Sequence, residues 1–325
     1  MAEKLLEIKG LSLSFPSANG NVQVLRGVDL HINKGEVLGL VGESGSGKSL
    51  TSLAVMGLVP KPHGEMGGSI FYRERDLLTA PEKELRALRG KSISMIFQEP
   101  MTSLNPVYTI GDQIVEAIQT HENATRGEAL HRAAELLQKV GIPAPEERVR
   151  SYPHQLSGGM RQRAMIAMAL SCSPELLIAD EPTTALDVTI QAQILDLLVH
   201  LQQNSDMSVL LITHALGVVA ETADRVAVMY AGRIVETATT KELFDNPQHP
   251  YTLGLLRSIP RIDKSVTSLT AIPGMIPAPW DLPKGCAFSG RCGFAEERCF
   301  EEEPELSAVF QEHFSRCWKT GRLEA

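Results

Sequence analysis

The sequence predicts an α/β protein: a mainly parallel sheet covered by helices, with an antiparallel edge, an inserted helical subdomain and a small cysteine-rich C-terminal extension. Three observations carry this expectation. Short continuous apolar runs such as Val37-Leu38-Gly39-Leu40-Val41 alternate with helical stretches over the first 240 residues or so, as strands buried on both faces do. The opening residues instead alternate apolar with polar, the pattern of half-exposed antiparallel strands. Beyond Thr240 the texture becomes proline-spaced and ends in a cluster of cysteines.

Taken in order, Leu5 to Phe15 and Val22 to Ile32 each alternate, joined by the turn residues Ala18-Asn19-Gly20-Asn21. Val37 to Val41 is a buried strand that runs into a glycine-rich turn. Ile110 to Val140 has helical rhythm, with Leu130, Ala133, Leu137 and Val140 on one face and Thr125-Arg126-Gly127-Glu128 matching a capping box. This places an inserted helical subdomain at about residues 100–165. Leu176 to Ala179 and Ser208 to Ile212 are again buried strands, separated by a helix from about Thr189 to Gln203. Val226 to Tyr230 and Arg233 to Glu236 flank Ala231-Gly232, a hairpin signal. Two short helical segments follow, Lys241 to Phe244 and Tyr251 to Arg257, and then Pro273, Pro277, Pro279 and Pro283 exclude long helices. The domains expected are residues 1–240 and an extension over residues 241–325.

Composition narrows the function. With 43% hydrophobic, 22% charged and 5% aromatic residues, the chain is neither disordered nor fibrous. Its 31 Lys and Arg against 39 Asp and Glu give a net charge of −8, which offers no footprint for nucleic acid. No stretch of about 18 apolar residues occurs, and Met1-Ala2-Glu3-Lys4 lacks the features of a signal peptide, so a cytoplasmic protein is expected.

Gly42-Glu43-Ser44-Gly45-Ser46-Gly47-Lys48-Ser49 fits the phosphate-loop pattern G-x-x-x-x-G-K-[ST] between a strand and a helix. Glycines let successive N–H groups turn toward phosphate oxygens, and the helix N-terminus adds partial positive charge. Lys48 is placed for the β/γ phosphates; at about 4 Å its attraction to one phosphate charge is on the order of 4 kcal/mol at an effective dielectric near 20. Ser49 offers a hydroxyl to Mg²⁺, and Thr51 joins the nucleotide-binding set. Asp180 and Glu181 end the strand Leu176 to Ala179, where ligands of open α/β sheets bind. Asp180 suits Mg²⁺ held through water, and Glu181 suits a base for the water that attacks the γ-phosphate. Alone, such an acidic pair reads as a solvated loop; beside a phosphate loop it reads as chemistry.

With Leu156-Ser157-Gly158-Gly159-Met160, these elements resemble the ATPase subunits of ABC transporters. The resemblance implies a P-loop ABC ATPase fold. It implies that Ser157, Gly158 and Gly159 cover the ATP held by a second ATPase subunit. It further implies that Gln98 senses Mg²⁺ and water, supported by the following Glu99-Pro100-Met101-Thr102-Ser103-Leu104-Asn105-Pro106. Ala185-Leu186-Asp187 is similar to the dimer-contacting loop, and His214 to the switch histidine on the γ-phosphate. The family usually carries Asp after that histidine and Gln after Ser-Gly-Gly; here Ala215 and Met160 stand there. Phe15 fits either an aromatic stacked on adenine or a core residue. One phosphate loop and one signature make half of each composite ATP site, so the chain is expected to pair, commonly as a heterodimer with a homologue.

Asn246-Pro247-Gln248-His249-Pro250-Tyr251-Thr252 and the segment after it are similar to the oligopeptide/dipeptide branch, which includes nickel importers. The implied function is ATP-driven import of di- or oligopeptides, with nickel or another small solute as the alternative cargo. A soluble ABC ATPase of DNA repair or translation is a further alternative. The implied partners are two membrane permease subunits and, indirectly, an extracytoplasmic binding protein, which would hold the chain at the cytoplasmic face of the inner membrane. Cys286, Cys292, Cys299 and Cys317 follow as C-x5-C-x6-C-x17-C, without the paired C-x2-C knuckles of a zinc ribbon. The resemblance suggests a [4Fe-4S] cluster there; Zn²⁺ and uncoordinated or disulfide-bonded cysteines stay open. Cys172 reads as a small apolar residue.

Overall fold

The computed structural model describes residues 3–17, 20–60, 64–98, 103–183, 187–259 and 272–322. Ala18-Asn19 of the first turn, Glu99 to Thr102 of the segment after Gln98, and Ala185-Leu186 lie outside them. The chain forms two compact units, Met1–Thr79 with Leu211–Ala325, and Ala80–Leu210. Parallel and antiparallel sheets are both present, so the mixed α/β class is met.

In the first unit the strands Lys4–Ser17 and Gly20–Asn33 pair antiparallel over their lengths, with Leu13 opposite Leu25 and Leu6 beside Ile32. The alternation read from the sequence decides which face is covered: Leu6, Ile8, Leu11, Leu13, Leu25 and Ile32 are fully buried. Glu65–Tyr72 pairs with the far edge of Lys4–Ser17.

The strand Val37–Val41 is buried at every residue and runs parallel to Arg225–Tyr230, Gly39 beside Val226. Gly39 lets the helix Leu216–Thr222 approach, since a Cβ there would meet Val219 Cγ1 at 2.6 Å. Ala231-Gly232 turns the chain into Arg233–Thr239 with φ of 43° and 79°, the two positive values a two-residue hairpin needs.

The C-terminal extension is packed onto this sheet. His313–Ser315 adds antiparallel to Arg233–Thr239, and Ser307–Phe310 adds to it in turn; this last hairpin carries no strong strand signal in the sequence. Glu236, fully buried, accepts from the Gln248 and His249 amides at 2.5 and 3.0 Å and meets His313 Nε2 at 2.8 Å. Tyr230 on the sheet, Tyr251 on the helix Pro250–Arg257 and Phe288 form a ring cluster, with centroids 4.7, 5.2 and 5.4 Å apart. Each such pair contributes about 0.5–1.5 kcal/mol beyond its burial.

In the second unit Ile93–Ile96 pairs parallel to Leu176–Asp180. The helical rhythm read over 110–140 resolves into two helices, Ile110–His121 and Arg126–Lys139, which bury Ile114, Ile118, Ala133 and Leu137. The capping box is formed, Thr125 accepting from the Glu128 amide and Glu128 from that of Thr125. Gly158–Ala169 and Val188–Gln203 complete the helices that bear on function. Cys172 is half-buried, and burial raises its thiol pKa.

One pH effect follows. Burial, and then the nearby Arg225, hold the His31 pKa down to about 4 from 6.5. The unfolded chain therefore takes up this proton first as pH falls, and stability declines between pH 6.5 and about 4. Urea midpoints measured across that range should fall, and His31→Gln should flatten the decline.

Candidate functional site

The phosphate loop leaves the buried strand Val37–Val41 at Gly42. Here φ is 157°, and a Cβ would lie 2.2 Å from the Met229 carbonyl oxygen, so only glycine fits the curl. The helix Lys48–Val55 starts behind it at Gly47, with no side-chain cap. Lys48, 5% exposed, bends back so that Nζ donates to the Gly42 and Glu43 carbonyls at 2.7 and 3.0 Å. Thr51 Oγ1 donates to the Gly47 carbonyl at 3.0 Å, bracing the first turn. Ser46 Oγ is buried with no protein partner among the described residues.

The loop is also held from outside. The Gly232 amide donates to the Ser46 carbonyl at 2.8 Å, and the Glu43 amide donates to Tyr251 Oη at 2.8 Å. Arg291 Nη1 and Nη2 donate to the two carboxylate oxygens of Glu43 at 2.7 and 2.9 Å. None of these partners is readable from the motif. Phe15 is half-buried opposite Val22 near the hairpin end, and His214 is exposed just past the strand Ser208–Thr213.

In the second unit the strand Leu176–Asp180 buries Asp180 at its last position. Glu181 then takes a φ of 45°, a left-handed conformation that costs a non-glycine residue of order 1–3 kcal/mol and collects at working sites. Gln98, just beyond the strand Ile93–Ile96, donates from Nε2 to Glu181 Oε2 at 2.9 Å. Two residues 83 positions apart, singled out separately by sequence, are thus in direct contact.

Ser157 is exposed and caps the helix Gly158–Ala169, accepting from the Met160 amide at 3.3 Å. The Gly159 face of this helix lies against Ile190, since a Cβ at Gly159 would be 2.9 Å from Ile190 Cγ2. Gln162, buried on the same helix, donates to the Pro182 carbonyl at 2.5 Å, linking the serine-glycine turn to the residue after Glu181. That link was not foreseen. Asp187 caps Val188–Gln203 through the Ile190 amide at 3.0 Å. Gln98, Ser157 to Gly159, Asp180, Glu181 and Asp187 belong to the second unit, and residues 42–51, Phe15 and His214 to the first.

In the extension Cys286, Cys292, Cys299 and Cys317 line one small cavity with Phe288, Phe294 and Trp318. The Cys286 amide donates to the Cys299 carbonyl at 2.8 Å, and at Gly285 a Cβ would come 2.4 Å from that same oxygen. Burial pushes the thiol of Cys286 up to about 11, that of Cys317 up to about 12, and raises Cys292. Among the described residues no group of three or more His, Cys, Asp or Glu is arranged to hold a metal ion.

Residues 25–184 match the ABC transporter family, and residues 235–299 match the oligopeptide/dipeptide transporter C-terminal region. The oligopeptide transport ATP-binding protein OppD of Bacillus subtilis is 55% identical over 97% of this chain and 88% of its own. The dipeptide transport ATP-binding protein DppD of Haemophilus influenzae is 52% identical over 94% of this chain and 92% of its own. Among solved structures, the dimeric post-hydrolysis state of the ATP-binding cassette MJ0796, bound to ADP and Pi, is similar with a TM-score of 0.65 and 26% identity. It covers 72% of this chain and 98% of that one.

Gly42→Ala should lower stability by about 1–3 kcal/mol, because the backbone has to withdraw from Met229. The same variant should lose protection by pyrophosphate in thermal melts, a shift the native chain should show.

Proposed function

We infer the activity from membership: the chain belongs to the ABC transporter family, in the branch that carries the oligopeptide/dipeptide transporter C-terminal region. It is the ATP-hydrolysing subunit that powers import of di- or oligopeptides. The observation that carries the hydrolytic reading is the contact of Gln98 with Glu181 at 2.9 Å, made where Glu181 holds a left-handed backbone at the end of a buried strand.

In this reading Lys48 and loop N–H groups of residues 44–49 take the β/γ phosphates, apart from the Ser46 amide, which donates to the Glu43 carbonyl at 3.2 Å, and Phe15 stacks on adenine. Ser49, Gln98 and Asp180 hold Mg²⁺, which neutralises phosphate charge when bound. Glu181 accepts the proton of the attacking water, and Gln98 orients both. His214 reaches the γ-phosphate. Ser157, Gly158 and Gly159 present a hydroxyl and helix N-terminal amides to the ATP of a second subunit, and Asp187 lies at that contact. The solved relative, a dimeric cassette, supports pairing; the partner here is a homologous ATPase.

No helix among the described residues is long and apolar enough to cross a membrane. The chain acts peripherally at the cytoplasmic face of the inner membrane, docked on two permease subunits that receive cargo from an extracytoplasmic binding protein. Phe97, Val107 and Tyr108, at 39%, 72% and 55% exposure, flank the segment after Gln98 and supply an apolar surface for a permease. The ATPase domain is residues 1–240, with the helical subdomain at about 100–165 and the extension at residues 241–325.

The extension holds a [4Fe-4S] cluster. Four thiols lining one cavity, without the paired knuckles of a zinc ribbon, support this. Burial raises the thiol pKa values of Cys286, Cys292 and Cys317, which therefore stay protonated until a cationic centre displaces the protons.

Lys48→Ala should lose ATP binding, while Glu181→Gln should bind ATP and hydrolyse it about 10²–10⁴-fold more slowly. Cells whose only copy carries Glu181→Gln should stop taking up a labelled dipeptide and continue to take up nickel. Loss of nickel uptake alone would move the cargo to the metal. Anaerobically prepared chain should carry iron and acid-labile sulfide and lose both on Cys292→Ser; zinc in their place would overturn the cluster.

A further inference from the structure

Arg291 sits between Gly290 and Cys292 in the short turn Ser289–Arg291 of the extension, yet its side chain is only 7% exposed. All of its guanidinium nitrogens are engaged. Nε donates to the Pro273 carbonyl at 2.8 Å. Nη1 donates to Glu43 Oε2 at 2.7 Å and Tyr230 Oη at 3.4 Å, and Nη2 to Glu43 Oε1 at 2.9 Å and the Gly274 carbonyl at 3.2 Å. The group lies over the Tyr230 and Phe288 rings, at 5.8 and 5.9 Å. A planar fork used this fully has no substitute in lysine.

Its partner is the second residue of the phosphate loop. Glu43 places a carboxylate on a loop built to receive a polyanion, and the backbone of that residue is itself fixed, its amide donating to Tyr251 and its carbonyl accepting from Lys48. An unpaired carboxylate there would repel the nucleotide. Paired fork to fork, its charge is cancelled and its direction fixed toward Arg291.

We propose that Arg291 is a positioning residue for ATP: it holds and neutralises the Glu43 carboxylate, so that the C-terminal extension is part of the nucleotide-binding apparatus. This rests on the reading of residues 42–49 as an ATP site. A neutral residue at 291 releases the negative charge beside the phosphates. A neutral residue at 43 leaves the Arg291 cation facing them. The two changes thus act in opposite directions, and together they nearly cancel. Packing alone would make both changes harmful, and the pair worse.

The test is the dissociation constant of a fluorescent ATP analogue for the full chain with Mg²⁺, with thermal melts run beside it. Arg291→Gln should weaken binding about tenfold, the size of a lost charge-assisted pair. Glu43→Gln should bind at least as tightly as the native chain, and the double variant should return to within about threefold of it. Arg291→Gln binding like the native chain, or a double variant no tighter than Arg291→Gln, would overturn the proposal. Should Arg291→Gln fail to fold, Glu43→Gln decides alone: binding weakened more than about threefold refutes it. Lys48→Ala separates the two levels of inference. If it binds the analogue as well as the native chain, the ATP site itself is misassigned; if it does not, and Arg291→Gln is unaffected, only the role of Arg291 falls.

Discussion

A loop whose N–H groups are to meet an anion has few of them to spare for holding itself together; within residues 42–49 the Ser46 amide is spent this way, on the Glu43 carbonyl at 3.2 Å. Most of the loop's anchoring comes from other groups. Carbonyls take over the anchoring: that of Ser46 accepts from Gly232, and those of Gly42 and Glu43 accept from Lys48. The remaining amide of Glu43 goes to a tyrosine hydroxyl of a distant helix, and its side chain to an arginine of the extension. The hairpin turn Ala231-Gly232 has a double duty. Its carbonyl also accepts from the Arg26 amide at 2.9 Å, so one tight turn fixes the loop and the antiparallel strand beside it.

The second unit solves a different problem, that of aiming the Glu181 carboxylate without a covalent partner. Parallel strands bring Asp180 and Gln98 to the same end of the sheet because Ile96 pairs beside Ala179. The left-handed turn at Glu181 then directs its carboxylate at Gln98, and the buried Gln162 secures the following Pro182 carbonyl from the signature helix. A strained residue persists only where neighbours over-determine it. Here the neighbours include the helix Gly158–Ala169, which reaches the residue after Glu181 through Gln162.

Much of this was legible because the chemistry is local. Eight consecutive residues suffice for a phosphate loop, and Ala231-Gly232 or Thr125 with Glu128 declare a turn and a cap within four positions. The buried strands were legible for the same reason, through runs such as Val37 to Val41. What was not legible depends on pairing across the chain. Arg291 and Glu43 are 248 positions apart, and in isolation the arginine reads as an ordinary surface residue between cysteines. His313 and Glu236 likewise look like solvated charges, while the fold buries both completely and uses them to seat the last hairpin. The backbone angle at Glu181 has no sequence signature at all.

The first part of the extension is anchored by apolar burial, through Leu243, Tyr251 and Leu253, but the part that carries the cysteines has less of it. Among the described residues 272–322 Phe288 is buried, whereas Met275, Trp280 and Phe310 are exposed at 87%, 72% and 52%. A segment this poor in core needs cross-links, and four cysteines lining one cavity are the groups available to provide them. Cys292 is the covalent neighbour of Arg291, and Cys286 sits two residues before Phe288, on which Arg291 lies. The short turn Ser289–Arg291 therefore carries the arginine that pairs with Glu43 and runs directly into the cysteine cavity at Cys292.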